Sequence, residues 1–341
     1  MRKAKPIIFL LMLSFAAAAY GAALRRVAIV DLPGDPGFNG IAMAAGNVVI
    51  SRPATNTIEI FSPVKRRVVA RISQVQGPRG ITVDDEGARV YVALSGSDSV
   101  AVINSHNWQV EKLIQVQQQP ENLLWVPQTK ALYVTSSLNR SVSTVNPLTG
   151  RETNVIQMNA LPEDMVYDPA HQHLLVSLQD VRQIGVIDVS NDRVINRFNL
   201  MASEPTGLAL DSARNLLYVA VRYAVVALNL ENGSEAYRIP APGGTDTLVL
   251  DPDGNLLYAA GGDGSVLAID LNRKIVDHEL PTDVKGFSIA YDPQRHMLFM
   301  PGARDGRSKM VILKPISMNN DQNRSQTAEN PPGGPQTAMR K

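Results

Sequence analysis

The chain has 341 residues, 44% of them hydrophobic and 19% charged, with a formal net charge of +1 and no cysteine. This composition excludes global disorder, and the near balance of charge excludes a general electrostatic pull on nucleic acid or anionic membranes. Without cysteine the chain can form neither a disulfide nor a lipid-modified N-terminal cysteine, so stability rests on buried apolar surface.

In chain order, Arg2, Lys3 and Lys5 precede an apolar run over residues 7–19, broken only by Ser14 and followed by small residues. That is the order of a secretory signal, with cleavage expected at Ala19-Tyr20-Gly21 or Gly21-Ala22-Ala23. The alternative, an uncleaved anchor, needs about 20 apolar residues to cross a bilayer, and the run is shorter. Residues 1–22 are therefore expected to be removed. Their loss takes away three positive charges and leaves the mature chain at −2. The expected location is the periplasm or the outside of the cell. The expected mature form is a monomer with no membrane span.

Next comes a polar and apolar stretch, Leu24-Arg25-Arg26-Val27-Ala28-Ile29-Val30, that reads as one strand. An internal repeat follows. A short apolar run ending in a turn returns at positions 44, 84, 126, 168, 211, 251 and 292, at intervals of 40, 42, 42, 43, 40 and 41 residues. Asp84, Asp168, Asp211, Asp251 and Asp292 mark the turn, and Ala44 and Val126 hold its place in two degenerate copies. Before the marker lies one strand, as in residues 81–83, 123–125 and 165–167. A second strand opens seven residues after the marker in six copies, with Tyr91, Tyr133, Leu175, Tyr218, Tyr258 or Phe299. A third strand often ends in Asn or Asp, and a more polar fourth, such as residues 110–116 or 193–200, closes the unit. Short β-branched or aromatic runs bounded by Gly, Pro, Asn and Asp form strands rather than helices. Four strands in about 41 residues make one propeller blade.

The predicted fold is therefore all-β, a seven-bladed β-propeller over residues 23–314 with four antiparallel strands per blade. The last unit has only three clear strands, the third ending at residues 310–313. Residues 24–30 resemble residues 65–71, Lys-Arg-Arg-Val-Val-Ala-Arg, the fourth strand of the first unit. The N-terminal strand is thus predicted to complete the last blade and remove an open sheet edge. Residues 315–341, rich in Asn, Gln, Pro and Gly, read as a disordered polar tail.

Tyr-Val-Thr at 133–135, Tyr-Val-Ala at 91–93 and 218–220, and Val-Ala-Val-Ile-Asn at 100–104 resemble the YVTN repeats of bacterial surface and periplasmic propellers, including the YncE-like group. The resemblance covers residues 24–314 and is specific for the repeat. No copy carries the full Tyr-Val-Thr-Asn; Ser136 stands where the Asn would be. It implies the fold. Relatives in the lactonase-like superfamily include lactonases, lyases and binding proteins, so function has to come from the site.

In such a ring the loops leading into the first strands and the turns between second and third strands share one face. The lead-in loops are residues 35–40, 77–80, 119–122, 161–164, 204–207, 243–247 and 283–286. They carry Glu121, Glu163, Asp164, Glu204 and Asp246. The turns carry Arg52, Arg140, Arg182, Arg222 and Arg304, with Asp98, Asp180, Asp263 and Asp305. The expected ligand-binding set is Arg79, Glu121, Asn122, Asp164, Arg182, Arg222, Asp246 and Arg304, a polar funnel in which Arg forks hold an anionic group. The competing reading is that these charges pair locally.

No metal or cofactor is expected. His106, His171, His173, His278 and His296 do not converge on the channel mouth. Asp251-Pro252-Asp253-Gly254-Asn255 begins like a calcium loop but lacks the downstream Glu and occupies a turn found in every unit. No Gly-x-Ser-x-Gly elbow, Walker loop or Cys/His arrangement appears. The leading reading is a non-enzymatic binding or scaffold module for a small polar ligand or an envelope protein. The alternative is a lactonase-like hydrolase or lyase that uses the mouth carboxylates as acid and base. Nucleic-acid binding is opposed by the mature charge.

Overall fold

The computed structural model describes residues 22–317 except 85, 252 and 254. The expected signal segment up to residue 21 and the expected tail from residue 318 lie outside the described residues. The described chain forms seven sheets of four antiparallel strands. Blade 1 contains Ile41–Ala44, Asn47–Arg52, Thr57–Ser62 and Arg67–Ile72. Blades 2, 3 and 4 begin with Pro78–Val83, Pro120–Val126 and Pro162–Asp168. Blades 5 and 6 begin with Leu208–Asp211 and Thr245–Asp251. Each first strand touches the first strand of the next blade, and the seventh touches the first, so these strands surround a central channel. A single 3-10 turn, Pro53–Thr55, is the only helical element among the described residues, and no helix there is long and apolar enough to cross a membrane.

Burial follows from this packing. Second and third strands lie between neighbouring sheets and are buried almost end to end, as in Arg89–Leu94 and Ser99–Asn104. Fourth strands form the rim and alternate with solvent. The core lies between blades: Tyr133 and Val142 of blade 3 pack against Leu174, Val176 and Ile187 of blade 4. The recurrent Tyr of the second strand belongs to this core. Tyr91 stacks on Trp125 of the next blade at 5.9 Å, and the Tyr133 hydroxyl donates to Asp192 at 2.7 Å.

The marker residues are turn chemistry. Asp168 accepts from the Ala170 amide, Asp211 from Arg214 and Asp292 from Gln294, each at 3.0 Å. The Asn at the end of the third strand does the same one turn later, as when Asn104 accepts from the His106 amide at 2.9 Å. Asp251, the start of the calcium-like segment, accepts the Tyr291 hydroxyl at 2.9 Å from the next blade.

Blade 7 consists of Ala290–Asp292, Met297–Arg304, Arg307–Ser317 and the N-terminal strand Ala22–Asp31, in that order from the channel outward. The predicted closure therefore holds. The third strand runs to Ser317, past the expected boundary at residue 314, because the closing strand beside it is long enough to pair with it. Leu24 is buried with Val311 and Leu313, and its amide donates to His278 Nδ1 of blade 6 at 3.0 Å. Arg52 stands where the second strand of blade 1 enters its turn, as expected, but it is not an exposed turn residue. Its side chain is 1% exposed, within 2.9 Å of the fully buried Glu59, and it donates to the carbonyls of Pro33 and Asp35 and to Ser308 Oγ. It clamps the segment that leads from the closing strand into blade 1.

Candidate functional site at the channel mouth

The first strands of blades 2, 3, 4 and 6 share one irregularity. Their pairing register shifts between Pro78 and Ile81, Pro120 and Leu123, Pro162 and Met165, and Thr245 and Thr247. A bulge leaves its extra residues out of the ladder and re-aims them. The residues so released are Arg79 and Gly80, Glu121 and Asn122, Glu163 and Asp164, and Asp246. With their counterparts Asn39 and Gly40, Thr206 and Gly207, and Phe287 and Ser288, they form the mouth. All but Arg79 line a cavity of about 240 Å³ there.

The third residue of the Tyr-Val-Thr signature holds the bulge in shape. Thr135 Oγ1 accepts the Asn122 amide at 2.9 Å, Ser177 Oγ accepts that of Asp164 at 2.9 Å, and Ser51 Oγ accepts that of Gly40 at 2.7 Å. The hydroxyls thus supply acceptors to half-buried amides at the mouth. Close approach of neighbouring first strands explains two glycines. A Cβ at Gly207 would meet the Asp246 carbonyl at 2.1 Å, and one at Gly80 would meet Asn122 Oδ1 at 2.5 Å.

Four carboxylates thus face one cavity, with the Arg79 guanidinium beside Glu121. Burial pushes Glu163 up to about 7, and the charges of Asp246, Glu121 and Asp164 add to the rise while Arg79 opposes it. Burial also lifts Asp164 to about 6, although the amides of Leu208 and Met165 and the side chain of Asn122 favour its ionised form. Those bonds, at 2.9, 2.8 and 3.1 Å, tie blades 3, 4 and 5 together through one side chain. Glu121 and Asp246 are raised by burial, Arg79 opposing in the first case and Thr206 in the second. Arg79 Nε lies 3.3 Å from Ser95 Oγ and 3.5 Å from Glu121.

Of the expected ligand-binding residues, Arg79, Glu121, Asn122, Asp164 and Asp246 come together at the mouth. Arg182, Arg222 and Arg304 sit apart, in the turns of blades 4, 5 and 7. Arg222 is paired with Glu204 at 2.5 Å, and Arg304 lies 3.7 Å from Asp305 beside a separate depression that includes Asp283 and Lys285. Glu163 belongs with the expected set. Its signal was available in the sequence, because it occupies the same register position as Glu121, directly after a lead-in Pro. The histidines stay away from the mouth; His171, for example, sits 2.6 Å from Asp168 in a turn. Among the described residues no three His, Asp or Glu side chains are arranged to hold a metal ion.

No protein-family model matches the chain, and no curated protein matches it. Among solved structures it is similar to hydrazine synthase of Kuenenia stuttgartiensis, with a TM-score of 0.72 at 16% identity, over 84% of this chain and 97% of that one. At that identity the likeness concerns the fold alone.

Proposed function

We propose that this chain is an exported, YVTN-type binding propeller of the cell envelope, and that its channel mouth holds a small cationic group, an ammonium or a guanidinium. One observation carries the reading: Glu121, Glu163, Asp164 and Asp246 converge on one small cavity whose lining includes no Lys or Arg among the described residues, with Arg79 beside it at 3.5 Å from Glu121. Carboxylates crowded in a poorly hydrated site repel each other and lose solvation. A bound cation offsets both effects, whereas an anion adds to them. Of the Arg residues expected to attract an anion, Arg79 alone joins the mouth, and Arg182, Arg222 and Arg304 stand in the turns of blades 4, 5 and 7.

Isothermal titration with putrescine, agmatine and ethanolamine, set against neutral diols and sugar acids, tests the reading. The amines should bind, more weakly at high salt, and Glu163→Gln with Asp246→Asn should weaken them. Preferential binding of sugar acids would overturn it. Export is tested by the N-terminal sequence of protein recovered from the envelope fraction; retention of residues 1–21 would refute cleavage.

A second reading is favoured by the position of Glu163 near neutrality. A carboxyl that titrates at about 7 can give and take a proton at physiological pH, as hydrolases and lyases require. Turnover of a lactone panel that disappears in Glu163→Gln supports this reading. Absence of turnover across the panel removes it.

A further inference from the structure

We infer that the mouth-bearing face of blades 3 to 5 is a docking surface for a protein partner that lays apolar side chains over Leu138, Val181, Met201 and Tyr223 and points a lysine or arginine into the channel mouth. The inference rests on the cation-binding reading above and names the kind of molecule that carries the cation.

The four residues are 56%, 40%, 87% and 65% exposed. Isolated exposed apolar residues are ordinary on a protein surface, as with the rim residues Val69, Leu113, Ile195 and Ile275. These four are different because they are linked along one face. Leu138 and Val181 occupy the second-to-third turns of blades 3 and 4, and those turns are joined by the Arg140–Asp180 ion pair. The Leu200 amide donates to the Arg182 carbonyl at 2.9 Å and so holds Met201 beside the blade 4 turn. The Arg222 amide donates to the Ser203 carbonyl at 3.1 Å and so holds the same loop beside the Tyr223 turn. Corresponding turns in blades 2, 6 and 7 contain Asp98, Asp263 and Asp305 and carry no large apolar side chain.

Tyr223 adds a second argument. Its φ is +66°, at a turn position held by Asp98, Arg140, Arg182 and Asp305 elsewhere in the ring. The turn sets this left-handed conformation in blade after blade, and what distinguishes blade 5 is that a large aromatic ring stands there, largely exposed. The ring also lies over Gly243, where a Cβ would come within 2.6 Å of it.

The arc leads to the carboxylates. A groove of about 620 Å³ runs past Glu204, Arg222 and Tyr223 to Thr206 and Asp246, and the last two also line the mouth cavity. The surface therefore has an apolar patch, flanking ion pairs in Arg140–Asp180 and Arg222–Glu204, and an acidic socket. That is the anatomy of an interface with a polar rim. Charge complementarity selects a partner with a basic side chain next to apolar ones.

The test is selection of phage-displayed random dodecapeptides on the purified full chain, followed by fluorescence anisotropy with the leading peptide. Enrichment of one Lys or Arg flanked by Leu, Phe, Met or Tyr is expected. Binding should weaken about tenfold or more in Met201→Ser/Tyr223→Ser and in Glu163→Gln/Asp246→Asn. All four positions tolerate the change without core loss, and thermal melts of both variants confirm folding. Enrichment of acidic or purely polar peptides overturns the inference. Binding unchanged in Met201→Ser/Tyr223→Ser overturns the docking surface while leaving the cation site standing. Failure of the simple amines to bind would instead remove the cation reading itself. A concentration-dependent dimer that is lost in Met201→Ser/Tyr223→Ser, or peptide binding that appears only after deletion of residues 318–341, assigns the face to the chain itself and also overturns the inference.

Discussion

Replacing Glu163 with glutamine should stabilise the propeller at alkaline pH and leave it unchanged in acid. An unperturbed glutamate ionises near 4.5, whereas Glu163 in the folded ring keeps its proton until about 7. Between those values the folded state binds more proton than the unfolded state, so stability falls as pH rises through the window, and the whole cost is present above the folded value. A tenfold change in proton affinity is worth about 1.4 kcal/mol, which puts the cost of ionised Glu163 near an upper bound of about 3 kcal/mol. The side chain is only half-buried, and water entering the channel lowers the measurable gain to about 1–2 kcal/mol. Removing its charge also relieves Asp164 and Asp246, which pushes the result in the same direction. Urea midpoints of wild type and variant at about pH 4, below the unfolded value, and at about pH 8, with unchanged slopes, provide the measurement. The difference should appear only at the higher pH. An equal shift at both pH values, or a lower midpoint for the variant at the higher one, would refute the reasoning. Putrescine should raise the midpoint of wild type at the higher pH and have little effect on the variant.

Other predictions concern the scaffold that holds the mouth. Arg52→Met leaves Glu59 buried with only Arg71, at 2.7 Å, and frees the segment it clamps; a loss of about 3 kcal/mol is expected in urea unfolding, and the double variant with Glu59→Met should recover much of it. Thr135→Ala removes the acceptor of the Asn122 amide and should cost about 1 kcal/mol, with faster hydrogen exchange at that amide. Leu24→Ala opens a gap against Val311 and Leu313 and should lower stability by about 3 kcal/mol. Deleting residues 22–31 goes further, since it leaves Arg307–Ser317 as an open edge; light scattering on heating should report aggregation. Deletion of residues 318–341, a segment with few large apolar side chains, should leave the melting temperature where it is.

The sequence by itself determined the ring. Its period, the Asp that follows or ends the first strand in five of the seven units, the Tyr that opens several second strands and the Asn or Asp that often ends the third are local requirements of turns and of sheets buried on both faces. Each recurs because each blade meets the same neighbours. The closing strand was legible for the same reason, since residues 24–30 repeat the polar and apolar alternation of a rim strand and the last unit lacked one. Charges carry no such pattern. Arg52 and Glu59 look in sequence like ordinary surface residues, and only the meeting of two blades and the segment after the closing strand buries them. The mouth depends on the tertiary structure in the same way. Glu121, Glu163 and Asp246 are separated by whole blades along the chain, and the ring brings them to one cavity. Their shared charge and loss of water raise their affinity for protons there. That effect comes from distance and burial in the folded ring, which no single segment of the chain contains.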